Sequence, residues 1–178
     1  MKEKILILAY MGTGKTYLAQ QYKNITEVSF FEHKFFVENL LQFSTIEEVK
    51  GYENSLVLRS NYPQNYLTTI FDELNKGQIV LTQFTSSVFN LIETSLPQFA
   101  GIRIILAFPN INGFEEYAER FKNRGNSDAF ISENRSIFGR LAETFEKAEG
   151  FEKINIIPGQ FLEKAISEHK IELQVRGE

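Results

Sequence analysis

Apolar residues fall into short unbroken runs and longer helical stripes, and the two kinds alternate along the chain. Ile5 to Tyr10 is a continuous apolar run, which predicts a strand covered on both faces rather than one with a wet side. A helix is predicted from about Lys15 to Tyr22, then a second strand from Ile25 to Phe31. Tyr66, Leu67, Ile70, Phe71 and Leu74 recur at helical spacing, with Pro63 in the first turn and Gly77 as a stop. Ile79 to Leu81 reads as a strand, Ser86 to Thr94 as a helix, and Ile102 to Phe108 as a buried strand ending before Pro109. Phe114, Tyr117, Ala118 and Phe121 form one helical stripe. Ile137, Phe138, Leu141, Ala142 and Phe145 form another that starts after Ser132 and stops at Gly150. Ile154 to Ile157 is the last expected core strand, with a short helix from about Gln160, and the tail from Lys170 to Glu178 carries no placing pattern. Such alternation predicts a mostly parallel α/β sheet with helices on both faces.

The chain has 178 residues, of which 43% are apolar, enough to close a sizeable core and to exclude a disordered adaptor. No repeat or Pro/Gly/Ser-rich linker divides it, so residues 1–178 read as one domain. Nineteen Lys and Arg stand against 23 Asp and Glu, and a net charge of −4 offers nothing to DNA, RNA or anionic lipid. With no cysteine and two histidines there is no disulfide framework, no thiolate nucleophile and no self-sufficient zinc site. The apolar stretch near the N-terminus is too short for a signal-peptide core or a membrane span, so a soluble, unprocessed cytoplasmic protein is expected. Nothing in these letters sets an oligomeric state.

The segment Ala9-Tyr10-Met11-Gly12-Thr13-Gly14-Lys15-Thr16 changes this general picture. A phosphate-cradling turn must leave a buried strand, expose several main-chain N–H groups and enter a helix at its positive end, and this segment is placed to do all three. Gly12 and Gly14 supply unusual dihedrals and close backbone approach, Lys15 offers a cation to the β- and γ-phosphates, and the Thr16 hydroxyl is a magnesium ligand. Met11 to Tyr17 is therefore the expected nucleotide-binding loop, of Walker A chemistry, with ATP and Mg²⁺ as the implied cofactors. Ala9 occupies the place of the first glycine of GxxxxGK[ST], which predicts an altered or more restricted strand-to-loop turn.

Other landmarks narrow the class. Asn75-Lys76-Gly77-Gln78 lacks the acid of a guanine-reading NKxD element and precedes a strand instead of following one. Ile79-Val80-Leu81 runs into Thr82 and Gln83, so no Walker B carboxylate closes that strand. Small kinases that hold Mg²⁺ mainly through the loop hydroxyl, waters and nucleotide fit this absence.

The phosphate loop, a second strand ending in an acid at Glu32, the turn Asn61 to Tyr66, and Phe108-Pro109 followed by Glu116 to Asn126 together resemble small nucleoside or nucleotide kinase-like P-loop proteins of phages and bacteria. The resemblance spans most of the chain. It implies a three-layer P-loop NTPase fold and a lid segment around 113–135, whose arginines close on the transferring phosphoryl group. Glutamate stands here where aspartate is commoner, a departure that bears on catalysis and not on fold.

Arg120 and Arg124 lie four apart on one helix face beside the Phe114, Tyr117, Phe121 stripe, where two guanidiniums can neutralise phosphoryl charge. A solvated helix with Glu116 paired to Arg120 accounts for the same letters. Arg135 and Arg140 are further candidates for the lid, though their five-residue spacing turns them apart and favours ordinary surface residues. Glu32, placed at a strand's carboxyl end, is expected to orient or deprotonate an acceptor hydroxyl, to hold Mg²⁺ through water or, with a nucleoside monophosphate as acceptor, to position its sugar or base; a plain surface acid is the alternative. Arg59, after Leu56-Val57-Leu58, is the candidate clamp for an acceptor phosphate, with Tyr62 or Tyr66 stacking on a base; packed tyrosines and a solvated Arg are the alternative. His33 reads as an exposed or helix-starting residue.

Together these residues predict transfer of the ATP γ-phosphoryl group to a small acceptor, a nucleoside or nucleotide first. Two other classes stay open: a nucleotide-binding module without transfer activity, and a partner-regulated P-loop ATPase.

Overall fold

The computed structural model describes residues 3–35 and 57–177; Leu56 and Glu178, named above, lie outside them. Five strands form one sheet: β1 (Ile5–Ala9), β2 (Ile25–Glu27), β3 (Ile79–Gln83), β4 (Arg103–Pro109) and β5 (Glu152–Ile156). Their order is β2-β3-β1-β4-β5 and every pairing is parallel. β1 is central, with Leu8 level with Thr82 on one side and Leu106 on the other. All of β1 is buried, as its unbroken apolar run requires of a strand covered twice.

Seven α-helices are present among the described residues: α1 (Lys15–Gln21), α2 (Phe30–Lys34), α3 (Gln64–Asn75), α4 (Ser86–Thr94), α5 (Phe114–Asn123), α6 (Asp128–Lys147) and α7 (Leu162–Glu168). Alternate strand residues feed two cores, because successive side chains leave opposite faces. Leu6, Leu8 and Tyr10 join one core with Phe108 and the buried stripes of α3 to α6, including Phe121, Phe138 and Phe145. Ile5, Ile7 and Ala9 join the other with Leu18 of α1 and Leu162, Ala165 and Ile166 of α7. Sheet and flanking helices thus make the three layers.

The structure departs most from the sequence reading at the end of the second strand, at the start of the long helix and in the C-terminal residues. The second strand stops at Glu27 and not at Phe31, because Ser29 caps α2 by accepting from the Glu32 N–H at 3.4 Å. Ser29 and Glu32 have the S-x-x-E spacing of a capping box, which turns the Phe-rich stretch into helix. The helix expected after Ser132 begins at Asp128, where the Ser127 hydroxyl accepts from the Phe130 N–H at 3.2 Å. The C-terminal residues that carried no pattern pass alongside the α1–β2 junction: Lys23 N–H donates to the Gln174 carbonyl at 2.8 Å, and the Asn24 amide to the Glu172 carbonyl at 2.9 Å.

Parallel strands all point their carboxyl ends one way, so the loops after β1, β3, β4 and β5 share one rim of the sheet.

Candidate functional site

The loop after β1 is built by two left-handed glycines. Gly12 has φ +77° and Gly14 φ +100°, conformations that a Cβ disfavours. A Cβ on Gly12 would also meet Phe121 at 3.2 Å and Tyr117 at 3.3 Å, so the loop rests directly on α5. The Thr13 hydroxyl, fully buried, donates to the Tyr10 carbonyl at 2.7 Å and draws the loop into a ring. Ala9 causes no distortion. It is the last residue of β1, in register with Gln83 and Ala107, and only Lys170 among the described non-glycine residues has positive φ. The expected restriction of the strand-to-loop turn is absent because the turn starts after Ala9.

Lys15 opens α1 from the loop's floor. Its ammonium donates to the carbonyls of Ala9 at 3.0 Å and Tyr10 at 3.1 Å, both reached by folding back over the loop. Burial pulls its pKa down to about 8; the Glu27 carboxylate works against that fall and the Arg124 guanidinium adds to it. The next residue, Thr16, is exposed, and its hydroxyl donates to Glu27 Oε2 at 2.8 Å.

Glu27 is the cleft-lining acid that sequence reasoning missed. It ends β2, lines the same cleft as Gly12, Lys15 and Thr16, and takes the place expected for Glu32. The capping-box spacing of Ser29 and Glu32 was the available signal, since it ends the strand ahead of Ser29. Thr16 and Glu27 give one hydroxyl and one carboxylate, a set suited to a hard cation that keeps waters and takes its other ligands from phosphates. No cluster of three or more His, Asp or Glu residues with metal-binding geometry occurs among the described residues.

The cleft over the loop has a volume of about 450 Å³, and Gln83, Arg124 and Asn126 complete its polar wall. Thr82, at the level where a Walker B acid was sought, is buried and bonded to the Tyr66 hydroxyl. On one side the cleft joins a groove of about 400 Å³ lined by Gly14, Tyr17, Arg124, Phe161 and Glu163, of which Gly14, Tyr17 and Arg124 belong to both. On the other it meets a cavity of about 260 Å³, with Met11 and Gln83 as the shared wall.

The two arginines of α5 part company. Arg124, the residue after α5, is exposed and faces the cleft. Arg120 turns behind the loop: it donates to the Gly12 carbonyl at 3.1 Å and the Gln160 carbonyl at 2.8 Å, and pairs with Glu116. Its guanidinium is stacked 4.6 Å from the Tyr117 ring and 4.0 Å from the Phe161 ring. Glu116 also accepts from the Gly159 N–H at 2.9 Å, so one ion pair ties the phosphate loop to the loop between β5 and α7. The segment 113–135, expected as a lid, comprises α5, the turn 124–127 and the start of α6.

Glu32, Arg59, Tyr62 and Tyr66 are also brought together, but around α2 and not at the phosphate loop. Arg59 Nε donates to the carbonyls of Glu32 and Phe35, each at 2.9 Å. Tyr62 packs edge-on against Phe30 at 5.8 Å between ring centroids. Tyr66 is fully buried, which removes it as a platform for a nucleobase; burial also raises its phenol pKa. Glu32 is in α2 and does not line the phosphate cleft, so its expected place at a strand's carboxyl end is overturned. His33, within the same helix, has its ring bonded to the Ser29 carbonyl and the Thr69 hydroxyl.

No family model matches the chain, and no curated protein matches it. Eleven chains of solved structure do match. One is a gluconokinase from Sinorhizobium meliloti 1021, at 15% identity, 93% coverage of this chain, 88% of that chain and a TM-score of 0.47. The five parallel strands, with a glycine-bearing turn leading from the central one into α1, constitute a three-layer α/β fold. No helix among the described residues is long and apolar enough to cross a membrane.

Proposed function

We propose that the protein is a P-loop phosphotransferase that moves the γ-phosphoryl group of ATP to a small acceptor. The observation carrying this reading is the row of three neighbouring spaces that share wall residues along the carboxyl rim of the sheet, with the glycine loop in the middle one. A nucleotide-binding module needs only two of them. A third compartment beside the terminal phosphate suits an acceptor.

In this reading the donor base occupies the groove between Tyr17, Phe161 and Arg124, where an aromatic face and a guanidinium plane both stack on a purine. The triphosphate takes the main-chain N–H groups of the loop. Lys15 exchanges its two carbonyl partners for phosphate oxygens. Thr16 and Glu27 hold Mg²⁺, which when bound neutralises charge on the β- and γ-phosphates. An acceptor oxygen forms the new bond to the γ-phosphorus as the bond to the β-phosphate oxygen breaks. ADP leaves with that electron pair, and the acceptor's proton goes to solvent or to the transferred phosphate. Arg124 faces the developing charge on the equatorial oxygens.

The test is turnover of ATP·Mg²⁺ against a panel of nucleosides, nucleotides, sugars and sugar acids, with the phosphorylated product identified by mass spectrometry. The expected result is a phosphorylated acceptor that Lys15→Ala abolishes. ATP binding without any phosphorylated product would return the protein to the module class, and phosphate release stimulated only by a partner protein to the ATPase class.

A further inference from the structure

The cavity beside Met11 and Gln83 has a chemical character of its own. Ser86 and Ser87, at the start of α4, and Arg140, on α6, face it across the rim. The Thr85 hydroxyl accepts from the Val88 N–H at 3.2 Å and so serves the helix, whereas the Ser86 and Ser87 hydroxyls have no partner among the described residues. No carboxylate lines this cavity, and Arg140 is its one charged wall residue among those described.

Arg103 is bound to Glu152, Arg120 to Glu116, Arg135 to Glu115, Arg59 to two carbonyls and Arg176 to the Ala19 carbonyl. Arg124 and Arg140 alone have guanidiniums without a hydrogen bond or ion pair among the described residues, and both line the neighbouring spaces. Arg124 faces the donor phosphates in the reading above. Arg140 stands over the compartment on the other side of Met11 and Gln83, where the acceptor belongs. A guanidinium fork is matched to carboxylate and phosphate oxygens, and hydroxyls beside it add donors to the same anion.

We infer that the acceptor carries an anionic group, a carboxylate or a phosphate monoester, which Arg140 binds with the Ser86 and Ser87 hydroxyls while the acceptor's reacting hydroxyl or phosphate oxygen points past Gln83 to the phosphate loop. The inference rests on the phosphotransferase reading and adds the acceptor's charge class to it. Arg140 is thereby a specificity-determining residue, although the sequence alone gave it little distinction.

The experiment uses the full chain with Mg²⁺ and a non-hydrolysable ATP analogue, and measures calorimetric binding of matched pairs. Each pair is one uncharged compound and its acid: a nucleoside with its 5′-monophosphate, an aldose with its aldonate. The expected result is that the acid of at least one pair binds about tenfold or more tightly than its uncharged twin. Arg140→Ala should remove that preference, Arg140→Lys should restore part of it, and the analogue's own affinity should stay constant in both variants. Preference confined to one pair identifies the anion as phosphate or carboxylate. Equal binding within every pair, no binding of any pair, or a preference that survives in Arg140→Ala overturns the inference while analogue binding leaves the phosphate loop standing. If the analogue itself does not bind, the phosphotransferase reading fails and the inference fails with it.

Discussion

Thr16 and Glu27 come from different elements, the start of α1 and the end of β2, and meet as hydroxyl donor and carboxylate acceptor at 2.8 Å. Nothing else on β2 reaches the phosphate cleft. Glu27→Gln keeps the shape and removes the charge, so it should lower kcat by about 10- to 100-fold and raise the Mg²⁺ requirement. Glu32→Gln, in α2 away from the cleft, should leave turnover within about twofold. Steady-state kinetics at several Mg²⁺ concentrations measures both, and the opposite ranking would return the acid's role to Glu32.

Lys15 has a pKa of about 8 because burial disfavours its charged form. In the free protein its ammonium is present below that pH and lost above it, and phosphate binding favours the protonated form. ATP affinity should therefore fall as pH rises from about 7 to about 9.5, with proton uptake on binding near pH 8. Lys15→Arg, whose guanidinium stays charged, should flatten the profile even if affinity drops overall. Calorimetry in buffers of different ionisation enthalpy reads the proton directly; pH-independent binding by the parent protein would contradict this assignment.

Arg120 is bonded on three sides and stacked on two rings, with its side chain 14% exposed. Arg120→Ala leaves the Gly12 and Gln160 carbonyls and the Glu116 carboxylate without this partner, for a loss of about 2–3 kcal/mol. At about 2–4 °C per kcal/mol for a chain of this size, the melting temperature should drop by about 4–12 °C. Arg120→Lys should recover little, since an ammonium cannot reproduce the fork. Thermal unfolding checks this, and a raised KM for ATP with kcat unchanged in Arg120→Ala would identify the residue as positioning the loop, not touching the phosphoryl group.

Ala9 lies in the extended strand, paired on both sides. Restoring the glycine of the usual pattern, Ala9→Gly, should bring no gain in ATP affinity and should cost about 0.5–1 kcal/mol of stability through lost backbone restriction. Tighter nucleotide binding by Ala9→Gly, measured by titration, would place the strain back at that position.

The strands and the phosphate loop were legible because their signals are local: an apolar run for β1, two glycines and a Lys-Thr pair for the turn. β2 was misjudged through competition between two local signals. The phenylalanines Phe30 and Phe31 favour a strand, while Ser29 and Glu32 specify a helix start, and the cap prevailed with Phe30 buried against Tyr66. That one boundary carried the candidate acid from Glu27 to Glu32. Arg120 and Arg124 looked alike on a helical wheel, yet one faces Gly12 and the other the cleft, a distinction made by the loop between β5 and α7 far along the chain. Phe161 gave no sequence signal and Arg140 only a weak one, as a lid residue, because only the closing of the sheet brings them to its rim.

The boundary between the two compartments flanking Gln83 is narrow: among the described residues, only Met11 and Gln83 line both. In the proposed transfer, energy delivery and target choice would therefore be nearly modular: residues on α4 and α6 could be exchanged to change the acceptor without disturbing the loop that handles the donor.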